Sequence, residues 1–267
     1  MHLDLPLTAL GLMSGTSLDG IDVALLRTDG EFFIETGPWA TYPYEAYLRE
    51  LVRDVLGARG FVEGVEEELT HAHASAVSRF LAAQGISAKA VDLVGFHGHT
   101  ILHRPHDGRT IQIGDGALLA RETGISVVND FRSADVAEGG QGAPLAPLFH
   151  AALARGLDLP VAVLNLGGVA NVSWIGADNA VIAFDTGPGN APVDDWVRHH
   201  TGRAMDIDGA LARAGRVDRA ILANLLDHPY FEKPPPKSLD RDDFDWRAAQ
   251  DLSVEDGAAT LAAVTAH

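Results

Sequence analysis

An apolar run from Leu7 to Met13 breaks into a small, hydroxyl-rich turn and resumes from Ile21 to Leu26; the same pattern returns at Val161–Leu166, Gly167-Gly168 and Asn171–Ile175. A chain that doubles back across small residues in both halves must build antiparallel strand pairs in two places, with backbone amides at each tip. At the first tip, Gly15 and Gly20 permit positive φ and close approach of a bulky anion. Ser14, Thr16 and Ser17 offer hydroxyls, and Asp19 or Asp22 suits a hydrated Mg²⁺, which takes few carboxylates and keeps its waters. Gly15, Thr16, Ser17, Leu18, Asp19, Gly20, Ile21 and Asp22 are therefore candidates for holding phosphate, with Asp19 reaching the metal through water. At the second tip, Gly167 and Gly168 bring backbone within reach of another phosphate. The competing reading of each is an ordinary tight hairpin; as a pair, they could clamp a triphosphate.

The remaining periodicity predicts a third strand at Glu31–Ile34 after the Thr28-Asp29-Gly30 turn, and helices at Tyr44–Leu56 and Val62–Ala83. Strands follow at Val91–Phe96, Thr110–Ile113 and Ile125–Val128, with a helix at Gly116–Glu122. Beyond the glycine-rich Ala137–Pro144, a hinge candidate, come a helix (Leu145–Ala154), strands at Val161–Leu166, Asn171–Ile175 and Val181–Phe184, and helices at Pro192–His200 and Val217–Leu226. His228–Asp245, with Pro234-Pro235-Pro236 and many acids, reads as an irregular exposed loop. Ser253 caps a last helix, still running at His267, whose apolar positions Leu261 and Val264 are expected to lack partners. The order gives an α/β fold of mixed sheets with flanking helices. Two domains are expected, 1–134 and 135–267.

Composition narrows the partners. Acids outnumber bases 37 to 20, for a formal charge of −17, which repels nucleic acid and anionic membranes. A polyanionic substrate must be met by local donors or a metal. The chain has no Cys, so disulfides, thiolate metal sites and a Cys nucleophile are excluded. No run approaches the ~20 apolar residues of a membrane span, and the N-terminus lacks a signal-peptide pattern. A cytoplasmic protein is expected.

Asp185, read at a strand end before Thr186-Gly187-Pro188-Gly189-Asn190, suits a general base for a water or hydroxyl nucleophile; the commoner role is a cap or turn Asp. Asn190 or Asp194 could cap the next helix. Arg132 could grip a carboxylate bidentately, or pair with Asp130 or Asp135. Gly139-Gly140-Gln141-Gly142 lacks the Lys-Ser/Thr of a P-loop. His97 and His99 alternate in an extended segment and so should share a face, but no carboxylate completes a zinc pattern there, and lining or structural roles are favoured. His71 and His73, in a helix, read as surface residues.

Taken together, Gly11–Leu26, Gly95–Thr100 (GFHGHT), Gln112–Gly116, Val127–Arg132, Glu138–His150, Asn165–Ser173 and Phe184–Asn190 resemble, in order and over most of the chain, the anhydro-N-acetylmuramic acid kinases. That resemblance implies the two-domain actin-like ATPase (ribonuclease H-like) architecture, with ATP and Mg²⁺ held in an interdomain cleft between glycine hairpins. It implies hydrolytic opening of the 1,6-anhydro ring of an amino sugar in peptidoglycan recycling, with phosphorylation of O6. Asp185 matches the base by position. His97, Arg132, Gln141 and Asn165 fall in the sugar-binding motifs, Arg132 suiting the lactyl carboxylate by its chemistry. A homodimer is also implied. His99 departs from the family's usual Gln. Family members continue about a hundred residues further, a typical extra subdomain, so a fragment or natural truncation with an incomplete second domain is expected. Two other readings stay open: a non-catalytic remnant that binds sugar or dimerises, and a hydrolase using Asp185 without phosphoryl transfer, against which the phosphate-loop pattern speaks.

Overall fold

The computed structural model describes residues 6–15, 18–178 and 180–267. Two compact units divide at Gly142/Ala143, inside the glycine-rich stretch read as a hinge candidate.

In the first unit β1 (Leu7–Ser14), β2 (Gly20–Thr28) and β3 (Ile34–Pro43) form an antiparallel meander. The long β4 (Leu93–Arg104) runs parallel to β1; its first half also pairs with β6 (Ser126–Asn129), its second with β5 (Arg109–Ile113). Helices α1 (Ala46–Asp54) and α2 (Val62–Gln84) cover the sheet, because their apolar residues recur at helical spacing. Leu48, Val52, Leu69, Val77 and Phe80 thereby meet Leu10, Val23, Val94 and Phe96 in one core. Two shorter helices, α3 (Gly116–Thr123) and α4 (Ser133–Ala137), flank β6 in sequence. Asp115 caps α3, its carboxylate accepting from the amides of Ala117 and Leu118.

The second unit begins with α5 (Pro147–Leu153) and continues with the antiparallel meander β7 (Val161–Leu166), β8 (Val169–Ile175) and β9 (Val181–Pro188). Then come α6 (Ala191–Thr201), α7 (Ala210–Ala214), α8 (Arg219–Leu226) and α9 (Val254–Ala266). Trp196 of α6 is fully buried against α9, its indole N–H donating to the Val254 carbonyl at 2.8 Å. A Cβ on Gly257 would stand 2.2 Å from that indole, so only glycine lets the two helices close.

Several expectations from sequence are corrected. The third strand starts at Ile34 instead of ending there, because the Asp29 carboxylate gathers the amides of Glu31, Phe32 and Phe33 into a turn. β4 runs on past Phe96 through His97 and His99, and α4 and α7 are too short to leave a periodic signal. Leu261 and Val264 are buried, not left without partners. His73 faces the core with no exposed surface, while His71 stays outside, its Nδ1 2.7 Å from the Glu122 carboxylate. The stretch His228–Asp245 is irregular but not wholly exposed: Tyr230, Leu239 and Phe244 build a small core of their own, and Lys237 is buried beside it.

Candidate functional site

The first hairpin tip rests on a buried base. Leu18 and Ile21 point their side chains into the core, so only their backbone can meet a ligand. Leu18 holds φ 57, unusual for a branched residue, and its amide donates to the Gly15 carbonyl at 3.0 Å. Gly20 is needed for space instead of for positive φ: a Cβ there would stand 2.4 Å from the Tyr42 carbonyl oxygen of β3. Asp19 is exposed at the tip, with Oδ1 accepting from the Gly20 amide at 3.0 Å. Asp22 is tied across the sheet by the Thr41 hydroxyl at 2.5 Å. Thr16 and Ser17 lie outside the described residues. Among those described, no cluster of three or more His, Cys, Asp or Glu could enclose a metal ion. One exposed carboxylate is enough for Mg²⁺, which takes few carboxylates and keeps most of its waters.

Below the tip, Ser14 is buried with its hydroxyl 3.2 Å from His99 Nδ1. His99 and His97 do not follow simple alternation. Gly98 between them takes φ 69, where a Cβ would strike the Ile113 carbonyl at 2.4 Å, and the β1–β4 register slips there. His97 turns instead to Arg132. Its Nδ1 lies 3.0 Å from the Gly98 carbonyl, so Nδ1 carries the proton and Nε2 accepts from Arg132 Nε at 3.1 Å and Nη2 at 2.8 Å. Burial, and then the guanidinium, push His97 down to about 4, keeping it neutral.

Arg132 also donates through Nη1 to the Gly142 carbonyl, while the Asp135 carboxylate accepts the Gly142 amide at 2.6 Å. Gly142 holds φ 62 in this pinch. Half-buried Gln141 is its neighbour and is set in place by the same two contacts. His97 is thus a partner of Arg132 that sequence reasoning, looking at Asp130 and Asp135, missed.

In the second unit the strand register lines up three polar residues in one cross-strand row: Asn165 opposite Asn171, and Asn171 opposite Asp185. Asn171 had not been singled out; symmetry of the N-L-G-G-V-A-N turn about Gly168 was the available signal. The glycine turn itself is anchored from behind. The carbonyls of Gly167 and Gly168 accept the amides of Asn190 (2.7 Å), Gly189 (3.0 Å) and Ala191 (3.2 Å) at the start of α6. Gly167 is not left-handed, and Gly189 is the position where space is critical, a Cβ there falling 2.2 Å from the Gly167 oxygen. Asn190 does not cap α6 with its side chain, which donates to the Leu166 carbonyl.

Asp185 sits inside β9, which continues to Pro188, and does not follow its end as expected. It is only 6% exposed. Its Oδ2 accepts the Leu239 amide at 2.9 Å, its own amide donates to the Lys237 carbonyl at 3.1 Å, and its carbonyl takes the Tyr230 hydroxyl at 2.5 Å. A carboxylate so buried is held at a cost in solvation.

Similarity to known proteins spans nearly the whole chain. The family model for anhydro-N-acetylmuramic acid kinase matches residues 7–267. A protein of that name from Paramagnetospirillum magneticum is 61% identical over 97% of this chain and 74% of its own length. One from Rhodospirillum rubrum is 56% identical over 97% of this chain and 70% of its own, and one from Methylorubrum populi 52% identical over 97% and 74%. Among solved structures, the Aquifex aeolicus PPX-GPPA enzyme overlaps 96% of the chain at a TM-score of 0.36 and 11% identity. The two α/β units, each containing an antiparallel three-stranded meander, have the actin-like ATPase architecture, and the chain belongs to the anhydro-N-acetylmuramic acid kinase family.

Proposed function

We propose that Asp185 is the general base of the family's reaction and that the phosphates of ATP are met by the two glycine hairpins. The chain is a kinase of the anhydro-sugar type: it opens the 1,6-anhydro ring of 1,6-anhydro-N-acetylmuramic acid and phosphorylates O6, giving N-acetylmuramic acid 6-phosphate. In our reading a water attacks the anomeric carbon and its proton passes to the Asp185 carboxylate. The bond from that carbon to O6 breaks, and O6 takes the γ-phosphoryl group, releasing ADP. The observation that carries the assignment is buried Asp185, in register with Asn165 and Asn171, its carboxylate accepting the Leu239 amide and its backbone held by the Tyr230 hydroxyl and the Lys237 carbonyl. A general base acts through its position and basicity, typically contributing ~10²–10⁴ in rate.

Arg132 binds the lactyl carboxylate, its fork oriented by neutral His97 and the Gly142 carbonyl. Gln141 and Asn165 supply amide hydrogen bonds to the sugar. The Gly15–Asp22 tip meets phosphate through donors other than the Leu18 and Gly20 amides, which are bonded within the turn, and the Gly167-Gly168 turn offers further backbone amides. Asp19 would hold Mg²⁺ through a water, and the ion when bound neutralises phosphate charge.

Two measurements test this reading. Turnover in ¹⁸O-water should place the label on the anomeric oxygen and none in the phosphate; label in the phosphate would show attack at phosphorus instead. Asp185→Asn should lower kcat by ~10²–10⁴ while the sugar still binds within a few-fold of wild type. An Asn variant with near-normal kcat would remove Asp185 from the role.

A further inference from the structure

We infer that the segment Tyr230–Leu239 is a clamp that sets the position of Asp185, with Tyr230 and Lys237 as its positioning residues. This rests on Asp185 being the base. The segment reaches Asp185 from three directions: the Tyr230 hydroxyl donates to its carbonyl (2.5 Å), the Lys237 carbonyl accepts its amide (3.1 Å), and the Leu239 amide donates to its Oδ2 (2.9 Å). The first two fix the backbone of Asp185, and the third fixes rotation of the carboxylate. A loop that merely filled space would need none of these bonds to one residue.

Lys237 is what closes the segment on itself. Its ammonium donates to the carbonyls of Tyr230 (3.0 Å) and Phe231 (3.5 Å) and lies 4.5 Å from the centre of the Tyr230 ring. The contact joins the start of the segment to its end across Pro234-Pro235-Pro236, whose rings limit backbone freedom. Lys237 is one of three lysines in the chain and is only 9% exposed. Burying an ammonium against neutral carbonyls, with no acid in ion-pair range among the described residues, is a costly way to hold a loop. Burial and neighbouring Lys233 hold its affinity for the proton below the ordinary lysine range. Apolar residues would pin a surface loop more cheaply; the lysine instead places two backbone carbonyls and the Tyr230 ring together, and the phenol of that ring reaches Asp185.

The consequence is specific. The Leu239 amide favours the ionised form of the Asp185 carboxylate, since a hydrogen bond to the charged form stabilises it. Loosening the clamp should therefore slow the reaction by misplacing the carboxylate, and also move its protonation to higher pH. Compare wild type, Tyr230→Phe, Lys237→Met and Asp185→Asn as full chains, measuring kcat, both KM values, the pH profile of kcat and the melting temperature. Tyr230→Phe keeps the ring and loses one bond; we expect kcat to fall about tenfold with both KM values within twofold. Lys237→Met should fall further, and in both variants the acid limb of the kcat profile should move to higher pH by about half a unit or more. A lower melting temperature with kcat and the acid limb unchanged would overturn the clamp. Should Lys237→Met fail to fold, Tyr230→Phe decides alone. Normal turnover in Asp185→Asn would instead refute the base assignment, whereas a dead Asn variant beside wild-type Tyr230→Phe and Lys237→Met would refute only the clamp.

Discussion

At the scale of single residues, Arg132 shows how one side chain can be prepared for a ligand. Its guanidinium is steered by an imidazole that burial and the guanidinium itself keep neutral. A second contact, to the Gly142 carbonyl, ties the same side chain to the glycine-rich stretch after α4. A lysine retains the charge but cannot reproduce a planar fork. Arg132→Lys should therefore raise the sugar KM by roughly 10–100-fold, the loss of one charge-assisted hydrogen bond, with the ATP KM within a few-fold. Initial rates over a grid of both substrates measure it; an unchanged sugar KM would show that Arg132 serves only the fold. The arginine itself was legible in the sequence as an isolated base beside a glycine run. Its partner was not, because the nearest acids in sequence, Asp130 and Asp135, drew attention, and Asp135 is occupied with the Gly142 amide. His97 lies 35 residues away and is brought close only by the fold. Asp185 was legible for the opposite reason: its motif is local, although the clamp residues Tyr230 and Lys237 sit in a stretch whose prolines and acids read as solvent-exposed loop.

At the scale of elements, glycine turns govern what the strands can do. Gly189 shows such a constraint: its α-carbon passes so close to the turn of β7 and β8 that an added Cβ would meet the Gly167 oxygen at 2.2 Å. Backbone cannot step aside as a flexible side chain can. Gly189→Ala should cost about 1–3 kcal/mol by overpacking, a drop of several degrees in melting temperature. It should also weaken ATP use, because the Gly167-Gly168 turn shifts with it. Calorimetry beside an ATP titration checks both; an Ala variant with wild-type melting and ATP KM would mean that the turn is not held as described. The strand pairs themselves were readable, since two apolar runs flanking a small-residue turn have few alternatives. Their far ends were not. β3 carries Gly37 and Pro38 inside it and leaves Trp39 exposed, so neither alternation nor apolarity marks it. β9 outlasts its apolar run because Gly187 and Pro188 pair with Ala170 and Val169, and that pairing places Asp185 within the sheet.

At the scale of the whole molecule, the histidines of the first unit make its stability depend on pH. His73, His97 and His99 are all pushed below the usual imidazole range, to about 4, 4 and 3, by burial first. His73 and His99 also repel each other's charged form, and each has an Nε2 with no hydrogen-bond partner among the described residues. In the folded chain these rings stay neutral until pH falls to about 4, whereas in the unfolded chain they take up protons near 6.5. Between those values the unfolded state binds more protons, so stability is full above about pH 6.5 and declines as pH falls toward 4. Most acids titrate near 4, so the window from pH 6.5 to 5 isolates the histidines. Urea midpoints measured across that window should fall steadily with pH. His73→Leu, which puts an apolar side chain beside Phe96 where the imidazole now stacks edge-on at 4.9 Å, should flatten the slope. An equally steep slope in the variant would assign the acid sensitivity to other groups. Because the same rings lie under the first hairpin, through the Ser14–His99 contact, and beside Arg132, through His97, acid should reduce sugar and ATP binding before it unfolds the second unit. Fluorescence-detected binding and unfolding followed over one pH series would reveal that order, and simultaneous loss of both units would contradict it.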